Sequence, residues 1–298
     1  MSETEGYTQT FGTKAEALGS SARGFGTTID SIKVYPEATG GHAQGYTNEN
    51  GTIEVRGFGA HAEGFCSKNQ NILAQGNGSH AEGINTTANG EASHAEGFST
   101  RADNTGSHSQ GINTYAQGAG SHAEGNADIS KNIIAKASGS HAEGHASGTG
   151  VIQATGLGSH VEGYCSTGQA NTAGGIGSHS QGINTTATGT ASHAQGRDTI
   201  ATGDASFAGG ENAIAGHNNT FCWSDGSDTV VSTEDKQFLV RATGGISFDN
   251  GATNPLTTRT TGASTSWSYV PANPADWTVL PTTLAHALDL IAAKIGPI

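Results

Sequence analysis

The 298-residue sequence predicts an all-β fold, a chain wound into a flattened β-roll. Three observations carry that expectation. A pentapeptide, Ser-His-Ala-Glu-Gly in its commonest form, returns at intervals of 14 or 19 residues. A second motif, Ala-x-Gly, ends four residues ahead of the histidine. With 46 glycines and only 33% hydrophobic residues, the chain has too little apolar bulk for a thick globular core, which leaves a thin, regularly wound one.

The slot His-x-(Glu/Gln)-Gly is filled by His42 with Gln44, His61 with Glu63, His80 with Glu82, His94 with Glu96, His108 with Gln110, His122 with Glu124, His141 with Glu143, His160 with Glu162, His179 with Gln181 and His193 with Gln195. Histidine beside glutamate is the usual pairing of general acid/base catalysis and of metal sites. Ten copies on one chain point to architecture instead, so no residue is singled out as catalytic or as a metal ligand. The closing glycines are Gly45, Gly64, Gly83, Gly97, Gly111, Gly125, Gly144, Gly163, Gly182, Gly196 and Gly210. Their spacing defines a 14-residue unit that sometimes carries five extra residues, such as "SKNQN" at 67 to 71. Those extras fall between the closing glycine and Ala-x-Gly, which marks a loop on one edge of a coil.

Both glycine columns are expected to be turns. Asn104 replaces the Ala-x-Gly glycine in "ADN", and asparagine is the residue that best tolerates the left-handed backbone region, so that region is expected there. Two turns per 14 residues leave two strands of about five residues each. Alternation within Ser-His-Ala-Glu-Gly puts Ser and Ala on one face, small enough for the inside of a narrow roll, and His with Glu on the outer face. An apolar residue usually follows the closing glycine (Tyr46, Phe65, Ile84, Phe98, Ile112, Tyr164, Ile183) and predicts a packing ladder, interrupted by Asn126, His145, Arg197 and Glu211. Cys66 and Cys165 share one repeat slot about a hundred residues apart and read, with Cys222, as buried slot-filling thiols, not a disulfide framework.

A formal net charge of −13 argues against a sequence-independent nucleic-acid binder, which needs a Lys/Arg surface. No stretch approaches the ~18 apolar residues of a membrane span. The start "MSETEGYTQTFG" has neither a basic nor an apolar signal region, so the general secretion route is not expected.

The organisation reads as an N-terminal segment of degenerate coils (1–39), a repeat rod (40–210), a β-rich neck (211–250), a Pro/Thr/Ser-rich connector (251–280) and a C-terminal helix (281–298). Thr282 or Thr283 can cap that helix, and Leu284, Leu288, Ile291 and Ile295 form one apolar stripe suited to self-association. Trp267 and Trp277 in the connector are candidates for stacking on a ligand such as a glycan.

Tandem 14-residue units with two small-x-Gly turns resemble the left-handed parallel β-roll of trimeric autotransporter adhesin heads, and the Ser-His-Ala-Glu-Gly form is similar to repeats in fibre-like proteins of phages and giant viruses. The resemblance covers about residues 40 to 210. It implies a homotrimer, a structural fibre or adhesin role in attachment, no cofactor, and a host receptor or glycan as a further partner. It also implies that the slots held here by His and Glu/Gln face the trimer axis, where an interchain His–Glu/Gln ladder would fix register. Some proteins with such repeats resemble precursors with a self-cleaving C-terminal chaperone, typically a longer module than the tail after Gly210. That tail shows no Ser/His/Asp grouping outside the repeat.

Overall fold

A computed structural model describes residues 7–9, 12–26, 31–128, 133–248 and 256–258. The chain divides into two units, residues 1–240 and 241–298. Among the described residues every element is a β-strand, and every pairing given for the first unit is parallel.

The first unit is a β-roll with two walls. One wall stacks the His-containing strands, for example His80–Ile84, His94–Phe98 and His108–Ile112, with His80 opposite His94 and His94 opposite His108. The other stacks Asn71–Ala74, Thr87–Ala88, Arg101–Ala102 and Thr114–Ala116 in the same one-coil steps. Register follows the motif and not the residue count: Gly64 lies opposite Gly83 across 19 residues as Gly83 does opposite Gly97 across 14. The interior is what alternation predicts, with Ser79, Ala81, Ser93 and Ala95 at most 1% exposed.

Coil length sets core size. In a 14-residue coil the first wall returns through a single left-handed residue, Asn85, Ser99, Asn113, Asn184 or Asp198, with φ between 53° and 58°. The second-wall strands at Thr87–Ala88 and Arg101–Ala102 are then only two residues long, shorter than the five expected. In a 19-residue coil the extra residues form a turn such as Ser67 to Gln70, closed by Gln70 N–H donating to Ser67 O at 3.0 Å, and they lengthen both walls, to His61–Cys66 and Asn71–Ala74. The wider coil holds a larger core residue. Ile53, Ile72, Ile133 and Ile152 all sit there, fully buried.

The second corner corrects the reading of Asn104. It is not left-handed, nor is the glycine that it replaces; the left-handed residue lies two positions on, at Gly78, Ala92, Gly106 or Gly120. That is the third position of a four-residue turn of type II character. It is closed by the serine ahead of each histidine, whose N–H donates to the carbonyl three residues back at 3.0–3.2 Å for Ser79, Ser93, Ser107 and Ser121. The Ala-x-Gly glycine is small for another reason: a Cβ on Gly76 would lie 1.9 Å from Gly90 O on the next coil.

The roll extends beyond the 40–210 rod. Ser21–Gly26 pairs with His42–Thr47, with Gly24 opposite Gly45, and at the far end Phe207–Ala215 and Phe221–Val231 run across both walls. In the second unit Ile246–Phe248 pairs antiparallel with Leu256–Thr258. The predicted helix, its stripe Leu284, Leu288, Ile291 and Ile295, and both Trp267 and Trp277 lie outside the described residues.

Candidate functional site: the outer face of the histidine wall

Parallel, in-register stacking forces identical slots into vertical columns at the strand spacing of ~4.8 Å. On the outer face of the first wall this produces three columns, since positions i, i+2 and i+4 of each strand point the same way.

The first column is a ring stack. From His61 to His193 consecutive imidazoles are 4.7–4.9 Å apart, nearly parallel through most of the run, with interplanar angles of 3° for His61 and His80 and 0° for His122 and His141. It is entered by an edge contact from His42, whose Nδ1 meets the Ser21 hydroxyl, and continues into Phe207, Phe221 and Phe238. Burial, and then the neighbouring rings, hold His94, His108, His141 and His179 below the usual imidazole range; burial alone lowers His193.

The second column is Glu or Gln. Nε2 approaches the carboxylate two residues on at 3.2 Å for His61 and Glu63, 3.6 Å for His80 and Glu82, 3.7 Å for His94 and Glu96, 3.4 Å for His122 and Glu124, and 3.5 Å for His141 and Glu143. These approaches are not aligned hydrogen bonds: Nε2 of these rings, and of His108, His160, His179 and His193, is buried without a hydrogen-bond partner in its own chain. The Gln residues break up runs of carboxylates. Gln110 donates to Glu96 at 3.5 Å on the coil before it, and Gln181 donates to Glu162. Where the run is unbroken, burial and then Glu162 push the Glu143 carboxyl up. Together Glu124, Glu143, Glu162 and Gln181 border a shallow groove floored by glycines.

The third column is the predicted apolar ladder. Tyr46, Phe65, Phe98, Ile112, Tyr164 and Ile183 are 39–41% exposed, and Phe25, Tyr46 and Phe65 stack at 5.6–5.7 Å. The ladder lies on the roll's surface beside the charged column, not in its core.

Two overlapping groups, His122 with Glu124 and His141, and His141 with Glu143 and His160, bring ligand-type atoms within 4.8 Å of one another. An imidazole lone pair lies in the ring plane. Parallel rings therefore aim their lone pairs side by side, whereas a zinc-type ion needs donors converging at ~2.0–2.1 Å. Sharing His141 also leaves room for one ion at most between the two groups.

Sequence reasoning missed two further features. The serine is more than small: Oγ of Ser93, Ser107, Ser121 and Ser159 donates at 2.6–2.7 Å to the same carbonyl that its N–H binds, locking the corner. Gly24 is an additional closing glycine, hidden because Ser21 and Arg23 hold the His and Glu slots. The three cysteines are free and buried, and burial pushes the Cys66 thiol up to about 11.

Compared with known proteins, the chain matches no family model and no curated sequence.

Proposed function

We propose that the chain is a structural, non-enzymatic fibre protein: a left-handed β-roll that assembles as a homotrimer into a rigid rod serving attachment of a virion or a cell surface. The three-column outer face carries this reading. A small-molecule site occupies one place on a protein, whereas this face repeats the same ring and the same carboxylate or amide at every strand spacing, with an apolar side chain beside them on most strands. The partner whose repeat matches such a face is another copy of the chain. A second copy at the same height offers Glu or Gln to the Nε2 atoms that find no hydrogen bond at home, and its own apolar column can cover the half-exposed ladder. Eleven coils at ~4.8 Å make a rod on the order of 50 Å long. The C-terminal stripe of Leu284, Leu288, Ile291 and Ile295 supplies a second trimer contact in this reading. Sedimentation of the purified full chain tests it: the expected mass is three times the 30.0 kDa of one chain, and a stable monomer refutes it.

A further inference from the structure

We propose that the histidine column is a proton-operated lock, closed at neutral pH as a continuous stack of uncharged rings and opened by mild acid. The proposal concerns the stack within one chain and stands whether or not three copies assemble.

The column itself reveals what its slot requires. After His193 the same slot holds Phe207, Phe221 and Phe238, with the phenyl rings stacked at 4.8 Å, so a flat ring suffices and neither charge nor hydrogen bonding is needed. Besides nitrogens that can hydrogen-bond, imidazole adds to that ring a change of charge, protonation near pH 6.5. Two imidazolium rings at the strand spacing repel, and the ladder hydrogen bonds prevent the coils from moving apart. Relief comes from a counter-charge or from a ring leaving the stack.

Counter-charge is unevenly supplied. Glutamates two residues along the same strands face six of the histidines, but His42, His108 and His193 are followed by Gln44, Gln110 and Gln195. His179, followed by Gln181, reaches Glu162 at 3.8 Å on the previous coil. The strands above and below His108 bring Glu96 and Glu124 to its side, whereas those flanking His193 carry Gln181 and Gly209, and Arg23 stands in the Glu slot at the N-terminal end. Farther along the face, the charges lie in pairs, His145 with Asp128 at 3.6 Å and Arg197 with Glu211 at 2.5 Å. Behind the column the roll presents buried Ala and Ser, and the charged Lys33, Glu54, Arg101 and Asp103 belong to the other wall. Within the stacked run that starts at His61, His193 is therefore the layer that opens first. The lowered affinity of five of these rings for protons has the matching sign. A group whose folded value lies below its unfolded one contributes stability that is complete above about pH 6.5 and is lost as pH falls through the folded value.

Thermal unfolding of the full chain, followed by circular dichroism at pH 7.5 and pH 5.0, tests the lock. Wild type is expected to lose on the order of 10 °C in Tm between the two. The triple variant His94→Phe, His108→Phe, His122→Phe keeps every carboxylate and every stacked ring, and its loss should be smaller by about a third, in proportion to the rings replaced. An equal loss in both proteins overturns the proposal. Phe207→His lengthens the column by one titrating ring and should enlarge the loss. If the triple variant does not fold at pH 7.5, an unchanged loss in Phe207→His overturns the proposal on its own.

Discussion

Replacing Gly97 with alanine probes the closest approach in the roll. Gly97 lies in the strand His94–Phe98 at φ +116°, and a Cβ there would sit 2.1 Å from the carbonyl oxygen of Gly111 on the next coil. Real Cβ atoms stay beyond 3.0 Å, so the coils must part locally by 0.9 Å, the difference of the two distances. That opening falls within the five-residue pairing of His94–Phe98 with His108–Ile112. Losing two or three ladder hydrogen bonds at about 1 kcal/mol each, with about 1–2 kcal/mol for holding alanine at positive φ, totals about 3–5 kcal/mol. Gly106 is the control. It too has positive φ, +61°, but nothing lies within 4 Å of a Cβ there, and Ala92, Ala191 and Ala205 already occupy the same turn position at φ 51–54°. Gly106→Ala should therefore cost about 1 kcal/mol. Urea unfolding of wild type and both variants, followed by circular dichroism, measures the difference. Equal losses from the two substitutions would refute the steric account of the closing glycine.

Three further outcomes follow from the same geometry. Ser93→Ala removes a hydroxyl bonded to Gly90 O at 2.7 Å and should cost about 1 kcal/mol, whereas Ser79→Ala, where the hydroxyl has no partner, should cost close to nothing; unfolding midpoints compare them. Asn171 fills an isoleucine slot next to a 14-residue coil, donating to Gly182 O at 2.9 Å and accepting from Thr185 N–H at 2.9 Å; Asn171→Ala leaves both groups buried and unpaired and should cost about 2–4 kcal/mol by the same assay. Deleting residues 67–71 converts a 19-residue coil into a 14-residue one but puts Cys66 at the left-handed position that Asn85, Asn113 and Asn184 hold elsewhere. The deletion combined with Cys66→Asn should melt higher than the deletion alone, by the equivalent of about 1–2 kcal/mol.

The repeat made much of this fold legible. A period of two within the motif placed Ala81 and Ala95 inside and their flanking His and Glu outside, and the constant position of the five-residue extras located the variable edge. What stayed hidden depends on contacts between coils. Both glycine columns were read as turns, but closing glycines such as Gly83, Gly97 and Gly111 lie within strands, and the constraint in both columns is the next coil's carbonyl; a single chain segment carries no trace of that neighbour. Serine was read as small because its volume is evident in sequence and its hydrogen-bond target, three residues back around a corner, is not. The ring stack had a signal that went unused: Phe207 and Phe221 stand in the histidine slot, and two residue types that share only a flat ring imply that the ring is what the slot selects.

The most direct test of the proposed assembly is the cross-section of the particle, by electron cryomicroscopy of the full-length protein. The account predicts three rolls around one axis, with the columns containing His94, Glu96 and His108 turned toward that axis along the length of the rod. A single roll, or three rolls with those columns facing solvent, would contradict it.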